Sequence, residues 1–210
     1  MSAVVDTVIF DLGNVLIAWD PRRLYRQLID DEAQREWFLR EVCNSAWNEQ
    51  QDAGRPWAEA TALLRAKFPQ HADWIDAYHH RWEETLVGPI EESVVLLAAL
   101  KARGVRLLAL TNWSQETFPV ARRRYPFLRW FEGIVVSGEE RLVKPDPRIY
   151  QRLLDRYAVD PARALYIDDS ARNVAAAEAL GMRGWWFRDA AGLRDCLTGL
   201  ALLEGEARHG

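Results

Sequence analysis

The sequence predicts an α/β fold, a parallel sheet flanked by helices with an all-helical unit inserted near its start. Three features lead there. From Glu91 onward, short apolar runs alternate with helical patterns, the signature of parallel strands joined by crossovers. Between Asp20-Pro21 and about Pro89 only helical spacing is found. The first apolar run, Thr7 to Phe10, stops abruptly at Asp11 and Gly13, as a buried strand does when its tip carries chemistry. The expected division is a core from 1–14 and 90–210, with a cap from 15–89.

Taken in order, Thr7 to Phe10 is the first strand, and Gly13 is expected to supply an unusual backbone angle or room for a ligand. In the inserted block, Leu24, Tyr25, Leu28 and Ile29 recur at helical spacing. So do Leu63, Leu64 and Phe68, and then Trp74, Tyr78 and Trp82. A structureless loop of that length is improbable, whereas a small helical unit over the strand ends would act as a lid. Six of the ten tryptophans fall in this block, and most are expected to pack its core. Trp19 and Trp47, beside polar residues, are the ones to inspect as substrate-facing.

Val94, Leu97 and Leu100 mark a helix ended by Gly104. A strand from Val105 to Leu110 then runs into Thr111-Asn112. Ile134 to Val136 is a shorter strand. Asp146 as N-cap and Pro147 in the first turn begin a helix carrying Ile149, Tyr150, Leu153, Leu154 and Tyr157. Ala164 to Ile167 is a buried strand ending in Asp168-Asp169-Ser170. Ala171, Val174, Ala177 and Leu180 form a helix closed by Gly181, and Gly184 to Phe187 is the last strand. The tail from Glu204 to Gly210 is polar and expected to fray.

The chain has 210 residues, enough for a substantial core, and 27 basic against 31 acidic side chains give a net charge of -4. That balance offers no basic field for nucleic acid or anionic lipid. Arg122-Arg123-Arg124 is read as a solvated helix face. Cys43 and Cys196 match no metal-ligand spacing and read as reduced thiols. No apolar run approaches the roughly 18 residues of a membrane span, so the expected location is the cytoplasm.

Parallel topology brings Asp11, Thr111-Asn112 and Asp168-Asp169 to one sheet edge, with Lys144 in a loop between the last two. Each has an ordinary reading singly, as a turn, a cap or a surface lysine. Together they suit phosphoryl transfer through an aspartyl intermediate. Asp11 would attack phosphorus, and Mg²⁺ would sit between Asp11 and Asp168. Thr111 and Asn112 would hold phosphate oxygens, and Lys144 would offset developing charge.

The order Phe10-Asp11 with Leu16, Thr111-Asn112, Lys144-Pro145-Asp146-Pro147 with Ile149-Tyr150, and Ile167-Asp168-Asp169 with Asn173 resembles the haloacid dehalogenase superfamily. The resemblance implies a Rossmann-like core with the helical cap of the first subfamily. It implies Asp11 as nucleophile, Thr111 as the phosphate-binding hydroxyl, Lys144 as the motif lysine, and Asp168 with Asp169 as the metal pair supported by Asn173. It also implies that the Gly13 carbonyl ligates Mg²⁺. One departure stands out: Gly13 occupies the position where phosphatases of this family place a second Asp as general acid and base. Asp20 or a water is then the candidate donor. The loss favours esters with good leaving groups, and the wording Phe-Asp-Leu-Gly-Asn-Val resembles the glucose-1-phosphate phosphatase branch. The expected function is a Mg²⁺-dependent phosphatase of a small phosphorylated metabolite such as a sugar 1-phosphate. The alternatives are a 2-haloacid dehalogenase or a non-catalytic binding protein. The oligomeric state is left open.

Overall fold

The computed structural model describes residues 4–204. Thr7–Phe10 (β1) is followed by Ile17–Trp19 (β2), and then by the short helix Arg22–Tyr25 (α1). Glu32–Glu41 (α2), Ser45–Asp52 (α3), Trp57–Lys67 (α4) and Ala72–His80 (α5) complete the helical segment, which Leu86–Pro89 (β3) closes. The remainder alternates: Glu91–Ala102 (α6), Arg106–Thr111 (β4), Phe118–Arg124 (α7), Gly133–Val136 (β5), Ser137–Glu140 (α8), Pro147–Arg156 (α9), Ala164–Asp168 (β6), Ala171–Glu178 (α10), Arg183–Trp186 (β7) and Ala190–Gly199 (α11).

Five strands form one parallel sheet in the order β5-β4-β1-β6-β7. β1 is central, which is why all four of its residues are buried and why it reads as a continuous apolar run. Side chains alternate between two apolar layers. Val8, Phe10, Leu107, Ala109, Leu165 and Ile167 face one layer, and Ile9, Leu108, Leu110 and Tyr166 face the other. The second layer is covered by Ile149, Tyr150 and Leu153 of α9. The chain leaves β1 for β4 and β5 on one side and returns to β6 and β7 on the other. This reversal opens a crevice beyond the carboxyl end of β1, where open α/β sheets bind ligands.

The inserted block is helical with one addition. β2 and β3, at its two ends, pair antiparallel with Ile17 opposite Pro89 and Trp19 opposite Leu86. Its apolar residues, Tyr25, Phe38, Trp57 and Tyr78 among them, join the first sheet layer in one continuous cluster. Leu63 departs from expectation and is exposed, because α4 turns Trp57, Ala60 and Thr61 inward instead. Trp57 pins α4 to the loop after β4: its Nε1 donates to Ser114 Oγ at 2.9 Å and its backbone N–H to Glu116 at 3.0 Å.

Asp146 caps α9 as expected, accepting from the Arg148 N–H. Cys43 is buried and Cys196 half-buried, and neither is in a disulfide. Among the described residues no helix is long and apolar enough to cross a membrane. Of the expected polar tail, residues 205–210 lie outside the described residues.

Candidate active site

Asp11 follows β1 directly, and its backbone N–H is tied to the Ile167 carbonyl of β6 at 2.8 Å. Its Oδ1 accepts from the Leu12 N–H at 2.7 Å and lies 2.9 Å from Lys144 Nζ. Lys144 is almost fully buried, and its ammonium also donates to Asp168 Oδ2 at 2.7 Å and to the Leu110 carbonyl at 3.1 Å. One ammonium with three acceptors therefore bridges the ends of β1, β4 and β6. Burial acts to strip Lys144 of its proton, but Asp11 and Asp168 outweigh it and push its pKa above the usual lysine range. Burial also pushes the Asp11 carboxyl up to about 7, helped by Asp168 and Asp169 and opposed by Lys144.

Asp168 is a fully buried hub. Its Oδ2 accepts from Lys144 and, at 2.6 Å, from the Tyr166 hydroxyl; its Oδ1 accepts from the Ser170 N–H at 2.9 Å and from Asn173 Nδ2 at 3.0 Å. Four donors fill the acceptor sites of both carboxyl oxygens at a depth where an unpaired one would be costly. Asp169, by contrast, is exposed at the cleft, and its pKa is raised by partial burial and by Asp168. Carboxylate oxygens of Asp11, Asp168 and Asp169 lie within 4.8 Å of one another, an all-oxygen donor set of the kind hard divalent cations take.

The other expected residues fall around this centre. Thr111, at the end of β4, is buried with no partner for its hydroxyl. The Asn112 side chain is committed to Lys144: Oδ1 accepts the Lys144 N–H at 2.8 Å, and Nδ2 donates to the Lys144 carbonyl at 3.1 Å. Gly13 needs no special backbone. The left-handed residue in this turn is Asn14, at φ 53°, and a Cβ on Gly13 would meet nothing within 4 Å. Asp20 is drawn away from the centre, pairing with Arg22 and Arg26 in a neighbouring groove.

A cleft of about 180 Å³ opens over Asp11, Gly13 and Asp169. Trp19 of β2 and Trp82 line it from the inserted block, Trp113 and Thr117 from the loop after β4, and Asn48 and Asp52 from α3. Trp19 Nε1, Asn48 Oδ1, Trp113 Nε1 and Thr117 Oγ1 are all buried and unpartnered. Unpaired buried polar atoms are costly, so those gathered in this cleft are open to pairing with a ligand or with water. Trp47 packs edge-on against Trp57 and Tyr78 and belongs to the core. Trp82, expected in the core of the inserted block, lines the cleft, and Trp113, Thr117 and Asp52 are not singled out by the sequence. Periodicity carries no signal for a lone side chain in a loop or on a polar helix such as α3, and only the sheet topology shows which loops converge.

A model of the haloacid dehalogenase-like hydrolase family matches residues 5–181. The chain belongs to this family. Among relatives of these hydrolases, a sesquiterpene phosphatase of Aspergillus oryzae is 28% identical over 190 residues, covering 90% of this chain and 93% of its own. An (S)-2-haloacid dehalogenase of a Pseudomonas species is 30% identical over 107 residues, 51% of this chain and 44% of its own. A haloacid dehalogenase family enzyme of Bacteroides thetaiotaomicron, solved as a magnesium complex, superposes with a TM-score of 0.70 at 25% identity, covering 90% of this chain and 95% of the other. The family thus holds both phosphatases and dehalogenases among this chain's relatives.

Proposed function

We propose that this chain is a Mg²⁺-dependent phosphatase of a small phosphorylated metabolite, acting through an aspartyl-phosphate at Asp11. The observation that carries this reading is the carboxylate trio beside a buried lysine. Asp11, Asp168 and Asp169 would repel any anionic substrate unless a cation lay between them. A dehalogenase acting on a carboxylate needs no such cluster, and a non-catalytic scaffold has no physical reason to bury Lys144 between two acids.

Asp11, the Gly13 carbonyl and Asp169 border the cleft and would hold the ion, with Asp168 braced behind them by its four donors. When bound, Mg²⁺ neutralises phosphate charge and favours the ionised form of the nucleophile. The Asp11 carboxylate attacks phosphorus while Lys144 holds its Oδ1 in place. The free Thr111 hydroxyl and the backbone N–H groups of the following turn take phosphoryl oxygens. Lys144 offsets the charge that builds as the ester bond breaks.

The inserted block, 15–89, serves as the cap that selects the leaving group. The unpaired Trp19 N–H and Asn48 amide oxygen of this block, with the Trp113 N–H and Thr117 hydroxyl of the loop after β4, favour an oxygen-rich leaving group over a hydrocarbon. A sugar 1-phosphate fits that chemistry, and its anomeric oxygen demands less of a proton donor than a simple alcohol does. Phosphate release from acetyl phosphate, p-nitrophenyl phosphate and a panel of sugar phosphates, with Mg²⁺ and with EDTA, tests the reading. Turnover with Mg²⁺ that EDTA abolishes supports it. No phosphate release with Mg²⁺, or halide release from a 2-haloacid, overturns it.

A further inference from the structure

Gly13 leaves the cleft without the proton donor that its turn would otherwise carry, and the space beside it is open. Of the residues lining the cleft only Asp11, Asp52 and Asp169 carry an ionisable side chain. Asp11 is committed to phosphorus and Asp169 to the acidic trio. Asp52 remains, the last residue of α3, on the inserted block and across the chain from the nucleophile.

We propose that Asp52 is the general acid and base of the reaction, supplying from the inserted helical block the proton that Gly13 cannot. The assignment rests on the phosphatase reading above. In the first step the Asp11 carboxylate attacks phosphorus, the P–O bond to the leaving group breaks, and its electron pair takes the proton of the Asp52 carboxyl. The alcohol departs and Asp52 is left ionised. In the second step water attacks the phosphorus of the aspartyl-phosphate and gives its proton to Asp52. The P–O bond to Asp11 then breaks, which releases phosphate and restores both carboxyls.

Two local features suit Asp52 to this task. Its place is fixed: the Ser137 hydroxyl donates to the Asp52 backbone carbonyl at 2.6 Å while accepting from the Trp113 N–H at 2.9 Å. The end of α3 is thereby tied to the loop that follows β4. Its carboxyl is lightly held, with Asn48 Nδ2 donating to Oδ2 at a long 3.2 Å. Burial and the neighbouring Glu49 raise its pKa to about 7, with Asp11 adding to the rise and the Ser114 N–H and Lys144 opposing it. A group that titrates near neutrality is suited to both giving and taking a proton.

The test is Asp52→Asn, followed through both steps. With p-nitrophenyl phosphate, whose leaving group needs no proton, the variant should release one equivalent of nitrophenolate per enzyme in a burst. Turnover should then slow by about 10² to 10⁴ as phosphorylated enzyme accumulates. With an alkyl phosphate, whose alkoxide is a poor leaving group, the burst should vanish, because the first step now lacks its acid. Asp52→Glu, which keeps a carboxyl, should recover part of the loss. Wild-type turnover in Asp52→Asn on both substrates, or an equal slowing of both steps with no trapped phosphoenzyme, overturns the assignment. Should the wild-type protein itself release no phosphate with Mg²⁺, the phosphatase reading has failed, and that result is distinct from a silent Asp52.

Discussion

Asn112 grips the backbone of Lys144 at both its N–H and its carbonyl, at 2.8 and 3.1 Å. The amide therefore acts as a brace that aims the ammonium at Asp11 and Asp168. Asn112→Ala leaves both backbone groups without their partner and should cost about 1–3 kcal/mol of stability in urea unfolding. It should also lower kcat by about 10², since a displaced Lys144 no longer holds the nucleophile. Asn112→Asp, which keeps only the acceptor, should fall between the two.

Lys144→Met is expected to destabilise the protein by about 3–5 kcal/mol at pH 8, because it leaves two buried carboxylates without their cation. The loss should shrink toward pH 5. The folded-state pKa of Asp11 is already raised to about 7, and a protonated carboxyl needs no counter-charge. Chemical denaturation of both proteins at the two pH values checks the size and the sign.

Gly13→Asp should fold normally, since a Cβ there meets no atom within 4 Å and the backbone is not left-handed. Introduced into Asp52→Asn, it should restore turnover of alkyl phosphates by returning a carboxyl to the other side of the cleft. Steady-state kinetics of the single and double variants on one poor leaving group decide it. A double variant no faster than Asp52→Asn would argue against a shared role.

Asp52 also predicts a pH dependence of stability. Its pKa rises from an ordinary 3.8 to about 7 on folding, so between those values the folded state holds a proton that the unfolded chain has released. Stability should fall as pH rises through that window and stay level above it. Asp52→Asn removes its share of this slope and leaves the share of Asp11, whose pKa is raised to about 7 as well. The variant should gain on the wild type from pH 4 to pH 7, with no further gain beyond, as followed by thermal unfolding at fixed salt.

Much of this was legible in the chain because parallel strands are buried on both faces and announce themselves as unbroken apolar runs. The polar residues that end those runs then stand out, which is how Asp11, Thr111 and Asp168 were found. The β2–β3 ribbon was not, since Ile17-Ala18-Trp19 is too short to show a period. Tyr166 passed as one more apolar strand residue, although its hydroxyl is among the four donors on Asp168. Gly13 is expected to supply an unusual backbone angle or room for a ligand; Asn14 adopts the angle, and the space beside Gly13 is open. Asp52 sits on a helix of mostly polar residues where nothing in the spacing marks one carboxyl over another.

The Ser137 hydroxyl, bonded to the Trp113 N–H on one side and to the Asp52 carbonyl on the other, has a further consequence for how this enzyme can diversify. The height of α3 over the nucleophile is set by a latch belonging to the sheet. Trp19 and Trp82, which line the cleft from outside α3, are then free to change and remould the wall that greets the leaving group, while the spacing on which proton transfer depends stays tuned. A change of clientele need not bring a loss of chemistry.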